Sequence, residues 1–281
     1  MRFAVKTAPQ HTTWEDMLDV WRAADDIDLF ESAWNFDHFY PILGMDSHGP
    51  CLEAWTMLAA MAQATRRIRI GVLVTGIVYR HPAVLANMVA TVDIISGGRL
   101  ELGIGAGWNE EECSAYGIEL GTVTERFDRF DEACEVLVSL LSRTTTDFDG
   151  RYFQLRDAYC EPKPVQRPHP PICIGGTGEK RTLRTVARYA EHWNYPGGTI
   201  EAWRDKRDVL YSHCEDIGRD PSGIVLSTHI RFNPEGDVGA LAESAAEWAD
   251  AGMQLGIVTL PPPHRAAVLE PMAQALRKLA S

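Results

Sequence analysis

Several short clusters in this chain combine residue types that suit chemistry. Gly175-Gly176-Thr177-Gly178 stands after an apolar run and just before a helix expected to begin near Glu179. A glycine-rich turn in that place offers free N–H groups and the positive end of a helix dipole to a phosphate. Lys180, Arg181 and Arg184 add cations nearby. A turn that merely needs positive φ angles would read the same way. Gly103-x-Gly105-x-Gly107 also follows an apolar run, but Trp108 stands where the third glycine of the dinucleotide fingerprint belongs. Asp37 and His38 put an acid beside a base, although a lone histidine is as readily a satisfied core or surface group. Glu110-Glu111-Glu112 reads as the solvated start of a helix.

Other chemistries lack their residues. No His-x-His or His-x-x-x-His pair occurs, so the ligand spacing of a metal-dependent hydrolase is missing and no metal is expected. No Gly-x-Ser-x-Gly occurs either. The cysteines at 51, 113, 134, 160, 173 and 214 are too widely spaced for a Cys-x-x-Cys site and read as free thiols. With neither nucleophile nor metal, a bound organic cofactor is expected to carry the reaction.

The elements that must position these residues follow from hydrophobic periodicity. Strands are expected at 3–7, 30–36, 68–74, 100–104, 172–174, 192–195, 224–232 and 255–260. Helices are expected at 13–28, 52–65, 82–95, 125–141, 179–189, 200–217, 238–251 and 266–280. Strict alternation implies βαβ units and a parallel sheet. Eight repeats fit a closed barrel better than an open Rossmann sheet. The fold class is therefore α/β, a single (β/α)8 TIM barrel spanning 1–281. Residues 144–170 break the rhythm with a hairpin turn at Asp149-Gly150 and prolines at 162, 164, 168, 170 and 171. They read as an insertion between strand four and strand five.

The active site of such a barrel lies at the C-terminal ends of its strands. That gathers Pro9 to His11, Asn35 to His38, Thr75 and Gly76, Gly105 to Trp108, Gly175 to Gly178, Asn194 to Gly198, and His229 with Arg231. The formal charge is −12, from 27 basic and 39 acidic side chains. Such a surface repels phosphate backbones and anionic lipid, so neither nucleic acid nor membrane is an expected partner, and a small-molecule substrate is. No apolar run approaches the ~18 to 20 residues of a membrane span. Residues Met1 to Lys6 enter a strand pattern with no signal-peptide apolar region, which gives a cytoplasmic expectation.

Residues 93–108, Asp-Ile-Ile-Ser-Gly-Gly-Arg-Leu-Glu-Leu-Gly-Ile-Gly-Ala-Gly-Trp, closely resemble the hallmark of the bacterial luciferase-like family of flavin- or deazaflavin-dependent oxidoreductases. So do 34–39 (Trp-Asn-Phe-Asp-His-Phe), 79–83 (Tyr-Arg-His-Pro-Ala) and 170–178 (Pro-Pro-Ile-Cys-Ile-Gly-Gly-Thr-Gly). The resemblance keeps the family's order from residue 1 to about 260.

The resemblance implies an isoalloxazine-type ring at the strand C-termini. The ring would pack on a bulge at the end of strand three, around 72–75, often with a non-proline cis peptide, which assigns Val74 and Thr75 to the cofactor. Asp37 and His38 map to ring-proximal catalytic positions, with His38 as proton donor or ring-polarising group. Gly105, Ala106, Gly107 and Trp108 would line the ring or its side chain, with Asn194 among the cofactor contacts. Gly175, Gly176, Thr177 and Gly178 would hold the phosphate. Trp34, Trp108 and Tyr79 would shape an apolar pocket, or belong to the core. Coenzyme F420 is the favoured cofactor and FMN the alternative. The implied reaction is direct hydride transfer between F420 and a small organic substrate. His38 would handle the proton, since an unperturbed histidine titrates near about 6.5. Some F420-dependent sugar-phosphate dehydrogenases carry a glutamate where this chain has Trp108, which argues against that substrate. Rival readings are an FMN-dependent monooxygenase and a flavin-binding protein without turnover. Family members often dimerise, and the apolar face of residues 84–95 would serve a homodimer or pack on its own barrel.

Overall fold

The computed structural model describes residues 1–234 and 238–280; residues 235–237 and Ser281, within the expected 1–281 span, lie outside them. The elements run β1 (Arg2–Thr7), α1 (Trp14–Asp26), β2 (Phe30–Asn35), α2 (Ala54–Ala64), β3 (Arg69–Val72), β4 (Thr75–Gly76), α3 (Pro82–Ser96), β5 (Leu100–Gly105), α4 (Glu110–Ala115) and α5 (Val123–Ser142). They continue with β6 (Thr146–Asp149), β7 (Gln154–Ala158), β8 (Ile172–Gly175), α6 (Thr182–Tyr189), β9 (His192–Tyr195), α7 (Ile200–Asp216), β10 (Val225–Arg231), α8 (Val238–Asp250), β11 (Leu255–Leu260) and α9 (Leu269–Leu276). The parallel sheet runs β3-β2-β1-β11-β10-β9-β8-β5, and β5 pairs back to β3. That closes an eight-stranded barrel with helices around it. The antiparallel β6–β7 hairpin and the proline-rich path after it form the insertion.

Local chemistry explains the boundaries. Thr13 caps α1 through the Asp16 N–H, and Pro82 opens α3, where its missing donor costs nothing. Gly97 ends α3 in the left-handed conformation at φ 67°. Thr122 and Glu125 form a reciprocal capping box at the start of α5.

Strand three departs from the unbroken run that its periodicity suggests and has the bulge that the family resemblance placed around 72–75. Instead of running unbroken over 68–74 it splits into β3 and β4, both paired with β5. Its backbone presses on β5 at Gly103, where a Cβ would lie 1.8 Å from the Val72 carbonyl oxygen. The Leu73 N–H stays bonded to the Asn35 carbonyl on β2, and the Leu73–Val74 peptide is cis.

Side-chain alternation separates two cores. On β1, Phe3 and Val5 pack outward in the layer between sheet and helices. Ala4 turns inward with Trp34, Leu73, Cys173, Leu255 and Ile257 to fill the barrel. Below that plug lies a polar layer. Glu101 accepts from Arg69 Nε at 2.8 Å and meets His192 Nδ1 at 3.2 Å, and His192 Nε2 reaches Ser227 Oγ at 2.6 Å. Burial works against both charges, but contact with Cys173 and Glu101 carries His192 up to about 10, and His192 with Arg69 holds Glu101 down at about 2. No helix among the described residues is long and apolar enough to cross a membrane.

Candidate active site

The mouth of the barrel, at the C-terminal strand ends, has a shaped floor. Val74 is half-buried while Leu73 and Thr75 on either side are buried. Its side chain fits between two strand-end glycines. A Cβ on Gly105 would meet Val74 Cγ2 at 3.0 Å, and one on Gly175 would meet Val74 Cγ1 at 3.5 Å. Absent side chains on β5 and β8 thus leave a shallow cradle with one apolar side chain in it. A flat ring fits such a surface, because only glycine lets backbone and ring approach so closely.

His38 follows β2 and is 8% exposed. Its Nδ1 meets Glu112 Oε1 at 2.6 Å, and its Nε2 has no partner among the described residues. Glu112, on α4, is fully buried and also accepts from the Tyr79 hydroxyl and, at 2.9 Å, from the Phe39 N–H. Burial alone would raise the Glu112 carboxyl, but the donors from His38, Tyr79 and Phe39 outweigh it and hold the group below its ordinary value. The same arrangement pushes the Tyr79 phenol up, by burial first and by Glu112 second. Phe36 and Trp108 stand edge-on to the His38 ring, with centroids 5.1 and 5.3 Å away.

Asp37 lies beside this group but is closed off. It is 1% exposed and bidentate to Arg80, with one contact at 3.1 Å from Nη2 and a shorter one from Nη1. Arg80 Nη2 also reaches Glu53 at 2.5 Å, and Glu53 caps α2 through the Trp55 and Thr56 N–H groups. Burial raises the Asp37 carboxyl, and Arg80 works against that shift.

The Gly175 to Gly178 turn differs from its expected form. The helix begins at Thr182 rather than near Glu179, and Arg181 and Arg184 are not free cations. Arg181 is tied to Asp128 at 2.6 Å and Asp131 at 3.2 Å, and Arg184 to Asp131 at 3.5 Å. The Gly176 N–H is spent on the Asn194 carbonyl at 3.1 Å. The Thr177 and Gly178 N–H groups make no hydrogen bond among the described residues.

Other expected residues divide between mouth and scaffold. Ala106 and Gly107 are half-buried at the rim, and Trp108 is 55% exposed. Thr75 is buried, its hydroxyl accepting from Trp55 Nε1 at 2.8 Å. Asn194 is 2% exposed and donates to Ser227 Oγ at 3.0 Å. Trp34 shapes no mouth pocket: it is fully buried in the barrel plug, edge-on to His192. Glu110-Glu111-Glu112 is not all solvated either, since Glu112 is the buried partner of His38. Glu112 and Arg80, which hold this side of the mouth, were given no role by sequence reasoning, although Arg80 lies within the 79–83 motif. The only cue to Glu112 was its place next to the apolar Cys113 in the first turn of a short helix.

Comparison with known proteins agrees with this architecture. Residues 1–280 match the model of the luciferase-like monooxygenase family, and the chain belongs to that family. It is 31% identical to an F420-dependent glucose-6-phosphate dehydrogenase of Microbacterium testaceum, over 89% of this chain and 73% of that one. It is also 31% identical to the pyrimidine monooxygenase RutA of a Caulobacter species, over 72% of this chain and 57% of that one. Its fold matches an F420-dependent secondary alcohol dehydrogenase solved with an F420-acetone adduct, at a TM-score of 0.87 and 20% identity, covering 98% of this chain and 99% of that one. Members of this family are oxidoreductases, and relatives use F420 or a flavin.

Proposed function

We propose that this chain is an F420-dependent oxidoreductase that moves a hydride between the deazaflavin and a small organic substrate at the barrel mouth. The observation that carries this reading is His38, pinned at Nδ1 by a buried carboxylate and unpartnered at Nε2 beside a glycine-floored cradle. When bound, the deazaflavin supplies the carbon that gives or accepts the hydride.

The chain's own residues handle the rest. Glu112 stays ionised and keeps a proton on His38 Nδ1, which fixes the tautomer and leaves Nε2 to accept or yield the proton that accompanies the hydride. Asp37 is a positioning residue: locked to Arg80, it anchors the backbone from which His38 projects. Val74, Gly105, Ala106, Gly107 and Trp108 form the contact surface for the ring, with Thr75 and Asn194 bracing the strand ends beneath it. Thr177 and Gly178 offer N–H groups to the phosphate, and Gly176 lets the turn pass at φ 126°.

The 31% identity to a pyrimidine monooxygenase favours a second reading, an FMN-dependent monooxygenase. Titration of the purified apo-protein with oxidised F420 and separately with FMN, followed by tryptophan fluorescence, separates the two. Tighter F420 binding supports hydride transfer. Preferential FMN binding moves the chain to the monooxygenase reading, and failure of both to bind removes the redox reading altogether.

A further inference from the structure

The opposite side of the mouth holds charges that the proposed hydride chemistry does not use. Lys6 on β1 and Arg231 on β10 are each level with Thr259 on β11, so three adjacent strands bring them to one height. His229, on the same face of β10 as Arg231, meets Thr259 Oγ1 through Nδ1 at 3.2 Å. Lys6 and Thr259 are half-buried, as is His229 one step below them, whereas Ala4 and Ile257, level with His229, are sealed. This layer therefore opens to the mouth, across the barrel from β5.

Half-buried cations elsewhere in the described structure are compensated. Arg69 has Glu101, Arg80 has Asp37 and Glu53, and Lys163 has two carbonyl oxygens and Glu161. Arg99 is met by Ser96, Thr65, Ile68 and Ala62. The Lys6 ammonium has no hydrogen bond and no ion pair among the described residues. A cation withdrawn from water without a counter-charge is costly. Burial accordingly pushes the Lys6 ammonium down to about 8 against the attraction of Cys173. Burial, Lys6 and Arg231 together keep His229 neutral. Among the described residues, a chain of net charge −12 thus leaves Lys6 uncompensated at its own barrel mouth, with the exposed Arg231 beside it.

We propose that Lys6 and Arg231, with the Thr259 hydroxyl between them, receive an oxyanion of the substrate: a carboxylate, phosphate or sulfonate. This rests on the reading of the mouth as the substrate site of an oxidoreductase, and it names the substrate class. An oxyanion there completes the side of the mouth that the described residues leave unpaired and fixes the substrate at the end away from the Val74 cradle.

The test uses the full chain with isotopically labelled lysine, without cofactor. The Lys6 resonance is identified by its loss in Lys6→Met or, should that variant not fold, in Lys6→Arg. It is followed by NMR during titration with acetate, inorganic phosphate and methanesulfonate, and in separate samples with F420 and with FMN. The expected result is a saturable shift with at least one anion, a Lys6 titration midpoint raised by about one pH unit, and affinity roughly tenfold weaker in Arg231→Gln. A Lys6 resonance that no anion moves overturns the proposal. So does one that moves only with F420 or FMN, since Lys6 would then serve the cofactor. Anion response without cofactor binding keeps the oxyanion site and rejects the redox reading; cofactor binding with a silent Lys6 does the reverse.

Discussion

The two sides of the barrel mouth treat charge in opposite ways. Where β2 ends, each charged group near His38 already has a partner: Glu112 with His38 and Tyr79, and Asp37 with Arg80, which also holds Glu53. Where β1, β10 and β11 end, Lys6 has none among the described residues. The paired side is in working geometry before any ligand arrives, which suits groups that must act on a reacting atom without reorganising. The unpaired side carries an energetic cost that an anionic ligand would remove, as the proposed oxyanion site requires.

That contrast can be broken at its strongest point first. His38→Asn keeps a polar group of similar size but loses the proton relay, so kcat should fall about 10²- to 10⁴-fold while cofactor affinity from fluorescence titration changes little. A kcat within a few-fold of the parent would remove His38 from the chemistry. Next, Arg80→Met should destabilise the fold by about 3–5 kcal/mol in urea unfolding, because it strands the buried Asp37 carboxylate. A small loss would mean that the Asp37–Arg80 pair is not what braces this side.

Lys6→Met should act in the other direction. The folded-state value of about 8 lies below the ordinary lysine value of 10.5, so the charged form is penalised in the fold. Below pH 8 that penalty is fully present, and it fades as pH rises from 8 to 10.5, where the unfolded chain holds the proton that the folded chain has released. The neighbouring groups are Cys173, His229 and Arg231. Lys6→Met should therefore be more stable than the parent at pH 7, by about 1–2 kcal/mol after solvent screening, and the gap should close toward pH 10.5 in denaturant unfolding. A Lys6→Met variant less stable at pH 7 would show that Lys6 has a partner after all. Trp108→Ala should have the smallest effect on folding, within about 0.5 kcal/mol, because the ring is 55% exposed; its effect should appear in KM.

Much of the barrel was legible because apolar runs of strand length alternate with amphipathic helices, a local signal. The glycine pairs were legible too, since a missing side chain at a strand end is a local fact. The break in strand three was legible only through the family resemblance, which placed a bulge and a non-proline cis peptide around 72–75, and not in the local pattern. Ile-Arg-Ile-Gly-Val-Leu-Val is an unbroken strand pattern, and what displaces it is the lack of a Cβ on Gly103, on another strand. Glu112 was hidden because three glutamates in a row are chemically identical, and only the packing of α4 decides which is buried. Arg80 and Asp37 are 43 residues apart, so no local pattern pairs them. Trp34 and Lys6 share the inward face of their strands with small or apolar neighbours, and inwardness alone does not separate plug from mouth.

The central claim is that a ring lies in the cradle between Gly105 and Gly175. The most direct measurement is a tryptophan-quenching titration of oxidised F420 into the parent and into Gly175→Val. A Cβ at Gly175 meets Val74 only at ordinary contact distance, so the variant should fold while its side chain fills the cradle. The account predicts saturable binding to the parent, an unchanged Tm for the variant, and affinity about 10- to 100-fold weaker in the variant. Equal binding by both proteins, or no binding by the parent, would contradict it.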